Sequence, residues 1–61
     1  MKKNEFIKIL KEYENDPKRI IGKHIHSKIN LTSKQLDIVI DLKNKEKTLS
    51  EVLEEMKERR N

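Results

Sequence analysis

What this chain can fold into turns on residues 24–31, His24-Ile25-His26-Ser27-Lys28-Ile29-Asn30-Leu31, whose side chains fit two periods at once. Ile25, Ser27, Ile29 and Leu31 share one parity, while His26, Lys28 and Asn30 share the other, the alternation of a strand with one buried and one polar face. Ile21, Ile25 and Ile29 also recur every four residues, as on a helix, and Asp16-Pro17 has the form of a helix start. Gly22, the β-branched isoleucines, Ser27 and the polar Asn30 weigh against a helix. The pattern predicts a strand over 24–31, with a helix as the alternative.

Size narrows what such a strand can join. With 61 residues and no cysteine, the chain is a single unit that buries too little surface to be comfortably stable and has no disulfide to compensate. Two histidines are too few for a structural zinc site, so neither metal nor cofactor is expected. Charged residues make up 43% and hydrophobic ones 33%, but the apolar positions are clustered and periodic, which indicates a folded chain supported by self-association. A homodimer, or a higher oligomer, is the expectation. No apolar run approaches the roughly 20 residues of a membrane span, and the N-terminus lacks the apolar core of a signal peptide. A cytoplasmic protein, bacterial or encoded by a phage or plasmid, is therefore expected, with no membrane partner.

Charge is distributed unevenly. Residues 1–30 carry eight Lys/Arg against four Asp/Glu, whereas residues 31–61 carry seven of each. No carboxylate lies between Asp16 and Asp37, a segment that holds Lys18, Arg19, Lys23, Lys28 and Lys34. Such a segment suits phosphates, or else is simply a solvated lysine-rich surface.

The remaining elements read as helices. Phe6, Ile9, Leu10 and Tyr13 lie at helical spacing within 4–14, with Asn4 as N-cap, and Asn15-Asp16-Pro17 breaks that helix. Thr32 or Ser33 caps a helix over 34–43. Its apolar positions Leu36, Ile38, Val39, Ile40 and Leu42 span about 200° of the circumference, a width that calls for burial on two sides and hence for an intertwined dimer. Asn44, in a left-handed conformation, ends that helix before a short polar loop, Lys45-Glu46-Lys47. Thr48-Leu49-Ser50-Glu51 has the spacing of a capping box, and the helix over 49–59 follows with Leu49, Val52, Leu53 and Met56 on one face and Lys57, Arg59 and Arg60 at its end.

Taken together, Lys28-Ile29-Asn30-Leu31-Thr32-Ser33-Lys34-Gln35-Leu36-Asp37-Ile38-Val39 and Thr48-Leu49-Ser50-Glu51-Val52-Leu53 resemble the ribbon-helix-helix family of DNA-binding regulators, the group of the Arc and methionine repressors. The resemblance implies a mostly α fold with one short β strand, a ribbon-helix-helix domain over 23–61 preceded by a helical extension over 1–22. It implies an intertwined homodimer whose paired strands enter the major groove of double-stranded DNA. By the same resemblance the chain would be a sequence-specific transcriptional regulator, a repressor of phage or plasmid type. His26, Lys28 and Asn30 would read bases. Lys23, His24, Lys45, Lys47, Thr48, Leu49 and Ser50 would contact phosphates. Ile29, Leu31, Leu36, Val39, Leu42, Val52, Leu53 and Met56 would form the dimer core.

Two other readings stay open. Leu31-Thr32-Ser33-Lys34-Gln35 onward is similar to the opening of the response-regulator helix-turn-helix, which needs a third helix after Met56 where only 57–61 remain. An all-α small helical bundle is the alternative fold, and with it a small protein-binding inhibitor or adaptor using Phe6, Leu10 and Tyr13 as a contact face. An enzyme is not expected, because no paired carboxylates, nucleophile-base arrangement or phosphate-binding glycine loop is present.

Overall fold

A computed structural model describes residues 1–58, which form four helices: α1, Lys3–Glu12; α2, Pro17–Ile25; α3, Ser33–Lys43; and α4, Leu49–Glu58. Among the described residues there is no strand. The fold is the all-α bundle and not the ribbon-helix-helix. Arg59 and Arg60, expected in the last helical turn, lie outside the described residues.

The segment that fitted two periods is therefore divided. Pro17 starts α2 as expected of a first-turn proline, and the helix continues through Gly22 to Ile25. His26 caps it, Ser27 turns into the left-handed region at φ 61°, and the chain leaves toward α3. The exit is closed by the Ser27 amide donating to the His24 carbonyl at 3.0 Å and the Lys28 amide donating to the Lys23 carbonyl at 2.8 Å. Those two bonds are the pair that defines a Schellman closure.

Two physical reasons favour the helix. A lone strand leaves its backbone amides and carbonyls unpaired, whereas a helix satisfies most of its own. The core also draws on adjacent residues of one helical face, Ile20 and Ile21, which strand alternation would place on opposite sides. Ile20 is the buried residue of α2, at 1% exposure, while Ile25 is 69% exposed. Of the isoleucine repeat, Ile21 and Ile29 pack against the core and only Ile25 faces solvent, so Ile25 and Ile29 do not share a buried strand face.

One core unites all four helices. Phe6 and Leu10 of α1, Ile20 of α2, Val39 of α3 and Val52 of α4 are wholly buried together, with Ile9, Tyr13, Ile29, Leu31, Ile38, Leu42 and Met56 packed around them. Phe6, Leu10 and Ile20, from the segment expected as an N-terminal extension, share this core with Val39 and Val52 from beyond residue 22. The wide apolar face of α3 finds its cover within the chain: Val39 is buried, Leu36, Ile38 and Leu42 are half-buried, and Ile40 remains 37% exposed. A radius of gyration of 10.8 Å matches the roughly 10.5 Å expected of a compact chain this long. Phe6 and Leu10, expected as a contact face for a partner, are occupied by that core; Tyr13 is half-buried beside them.

Helix ends adjust several expectations. Lys2 is the N-cap of α1, and Asn4 sits exposed inside the helix, so no side chain caps this end. Thr32 caps α3 with a complete box: the Gln35 amide donates to the Thr32 hydroxyl at 3.1 Å, and the Thr32 amide donates to the Gln35 side chain at 3.0 Å. The other end of that side chain donates to the Met1 carbonyl at 2.8 Å and fastens the chain start to α3. At α4 the Glu51 amide donates to the Thr48 hydroxyl at 3.2 Å, but the glutamate carboxylate accepts from that hydroxyl and not from the Thr48 amide. Asn44 is not left-handed; Lys45 is, at φ 60°, where the Glu46 amide donates to the Asp41 carbonyl and the Lys45 amide to the Leu42 carbonyl.

Both helix exits thus use a side-chain-bearing residue where glycine is favoured. Replacing Ser27 or Lys45 by glycine relieves left-handed strain, and each variant is expected to gain about 0.5–1 kcal/mol. For a chain this short that corresponds to a melting temperature higher by several degrees, read by thermal denaturation followed by circular dichroism.

Candidate nucleic-acid interface

The exposed side of α2 gathers several cations in one place. On a helix Lys18, Gly22 and His26 form one row at i, i+4 and i+8, and Arg19 and Lys23 form the row beside it. With Ile20 turned into the core, Lys18, Arg19 and His26 are exposed and Gly22 and Lys23 half-buried. A shallow surface hollow is lined by Lys18, Arg19, Gly22, Lys23, His26 and Lys28, with Tyr13 and Asp16 at its edge. The Schellman closure brings Lys28 to this face, because the chain doubles back at Ser27 and does not run on as a strand.

Little of this charge is neutralised. Arg19 approaches Asp16 at 3.9 Å between well-exposed side chains, a contact worth little in water. The Lys23 ammonium lies 5.2 Å from the centroid of the Tyr13 ring, a cation–π contact that leaves its charge unpaired. Lys18 and Lys28 have no carboxylate partner among the described residues. The like charges of Lys18 and Arg19 also sit in the first turn of α2, against the positive end of the helix dipole, with no acid in that turn.

The residues singled out from sequence do not converge as a set. His26 and Lys28 lie in the hollow, and Lys23 joins them, whereas exposed Asn30 belongs to a different depression with Met1, Lys2, Glu5 and Ile29. A strand would have aligned His26, Lys28 and Asn30 on one edge; the turn at 26–29 separates them. His24 faces the connector instead of solvent. Its Nδ1 accepts from the Leu31 amide at 3.3 Å when the ring carries its proton on Nε2, and the Ile29 carbonyl lies 3.4 Å from the same nitrogen. This imidazole holds the link between α2 and α3.

Lys45, Lys47, Thr48 and Leu49 line a separate hollow of about 310 Å³ with Leu10, Tyr13, Glu14, Pro17, Ile20 and Leu42. Lys47 is already matched by Glu55, which lies outside this hollow, donating to both its carboxylate oxygens at 3.1 and 3.2 Å, and that bond raises its pKa above the ordinary 10.5. Ser50 lies elsewhere again, in a groove between α1 and α4. Of the expected dimer core, Val39 and Val52 are buried within the chain, while Ile29, Leu31, Leu36, Leu42, Leu53 and Met56 are half-buried.

Sequence reasoning noted Lys18 and Arg19 only as part of an acid-free run and took Gly22 as a mark against a helix. The signal for all three was the Asp16-Pro17 start, which sets the helical phase and places them on one face. No group of metal-ligating side chains occurs among the described residues, and no described helix is long and apolar enough to cross a membrane.

A scan against protein families finds no match to this chain, and searches of curated proteins and of solved structures likewise find no significant match. The ribbon-helix-helix resemblance therefore rests on short sequence motifs alone, and the fold does not follow it.

Since the His24 ring fixes the connector that presents Lys28, His24→Ala is expected to cost about 0.5–1.5 kcal/mol. It should also speed hydrogen exchange at the Leu31 amide, measured by NMR, more than at amides within α1.

Proposed function

We propose that this chain is a DNA-binding protein that engages the phosphates of a duplex with the outer face of α2. The observation that carries this reading is the open hollow of Lys18, Arg19, Lys23, His26 and Lys28, set in a run without carboxylates from Pro17 to Leu36. Contacts from lysine and arginine to phosphate supply most of the affinity of such proteins and need no pocket. The strand that was expected to read base edges is absent, so the contact proposed is to the backbone and runs through a helix.

Two features favour nucleic acid over an acidic protein. Protein interfaces are anchored by apolar or aromatic side chains at a desolvated centre from which lysine is depleted. This face carries Gly22 among Lys18, Arg19, Lys23 and Lys28, and its one aromatic residue, Tyr13, lies under the Lys23 ammonium. Single strands are held chiefly by stacking on free aromatic rings. Here Phe6 is wholly buried and Lys23 covers the Tyr13 ring.

Four lysine and arginine side chains on the face set the expected salt dependence. The slope of log K against log salt for a short B-form duplex should be roughly −3 to −4, so affinity falls on the order of a hundredfold between 50 and 200 mM salt. Lys23→Ala should lessen that slope by about one, whereas Lys8→Ala on α1 should change it less. Fluorescence anisotropy with labelled duplex measures both. Retention on DNA at low salt no stronger than that of an acidic control protein overturns the reading. Equal effects of Lys8→Ala and Lys23→Ala would move the contact away from α2.

A further inference from the structure

Gly22 has no role in building the fold. It is the only glycine of the chain, it lies in the interior of α2, and its φ is not positive, so no turn requires it. A Cβ added there would meet nothing within 4 Å, so no close packing requires it either. In a helix interior glycine is less favourable than alanine by about the amount one hydrogen bond contributes. Lys18 and Arg19 compound this by opposing the helix dipole in the same short element. Positions that break local rules without a folding reason are where function is expected.

These features coincide on one surface. Along the row Lys18–Gly22–His26, the two flanking residues are about 12 Å apart along the axis, and the position between them carries no side chain. Arg19 and Lys23 border the gap on the adjacent row, and Gly22 itself lines the hollow. The result is a notch bordered mainly by basic side chains, with Asp16 and Tyr13 at its edge.

We infer that Gly22 is the point of closest approach of the DNA: one sugar–phosphate strand of a duplex crosses α2 over Gly22, with Lys18 and Arg19 on one side and Lys23, His26 and Lys28 on the other. This rests on the proposed DNA binding and adds the seat and direction of crossing. A flexible anionic chain can be held by the same cations from any distance their side chains reach. A rigid duplex ridge needs the notch. The two kinds of ligand therefore respond differently to a side chain at position 22.

The test uses the whole chain with three probes: a short B-form duplex, a single strand of the same length, and poly-glutamate. Gly22→Ala and Gly22→Gln keep the charge unchanged and favour the helix, so both variants should melt at or above the wild-type temperature. Gly22→Gln should weaken duplex binding by at least about tenfold, and Gly22→Ala by a smaller factor, while binding to poly-glutamate stays within about twofold. Wild-type affinity of Gly22→Gln for the duplex, with Lys23→Ala still impaired, overturns the inference and leaves the DNA reading standing. Equal weakening toward all three probes overturns it too, since then no ridge is being recognised. Failure of the wild-type chain to bind duplex, with binding to poly-glutamate retained, overturns both and identifies an acidic protein as the partner of this face.

Discussion

The structure depends on five side chains. Phe6, Leu10, Ile20, Val39 and Val52 are the only wholly buried hydrophobic residues among those described, and each helix contributes at least one of them. None of these helices exceeds 11 residues, a length at which isolated helices are marginal in water. Each therefore exists because its neighbours cover one face of it. The same small core explains the stress on helix ends: the Thr32 box, the Gln35 bond to the Met1 carbonyl and the two left-handed closures supply constraints that a larger protein would leave to packing.

Those closures also decide what the surface offers. By reversing the chain at Ser27, α2 ends early enough for Lys28 to return to its basic side, while His24 fixes the link toward α3. Asp16, at the N-cap, is the carboxylate lining the hollow on the outward face of α2, and α2 itself carries three choices that weaken it as a helix: Gly22 in its interior and Lys18 and Arg19 at its positive end. Most of the other lysines belong to an ordinary solvated surface, and Lys47 is paired with Glu55. A face whose composition costs folding stability, and whose geometry leaves a gap between cations, differs in kind from a surface that merely keeps a small protein in solution.

Three of the four helices were legible in the sequence, because α1, α3 and α4 combine apolar spacing with a recognisable start or stop. Thr32 and Thr48 were readable as caps for the same reason. α2 was not chosen, although Asp16-Pro17 announced it, because the isoleucine repeat offered a strand as well and no glycine marked the helix exit. Ser27 and Lys45 perform that exit at φ 61° and 60°, and a serine or lysine gives no warning of it. The candidate site was legible only as charge: the acid-free run was visible, but the rows Lys18–Gly22–His26 and Arg19–Lys23 exist only once the segment is helical.

The sequence by itself determined the class of chain: short, free of cysteine, mostly helical, with its excess positive charge in the first half. It determined these because composition, capping residues and apolar spacing act over a few neighbours. Only the tertiary structure decided whether residues 24–31 form a strand or close a helix, which helix packs most closely on α3, and which cations meet. These outcomes depend on which apolar row finds a partner. Ile20, one position away from the repeat that drew attention, is the residue of α2 that the core buries fully, while Ile21 and Ile29 pack at its margin and Ile25 is left in solvent.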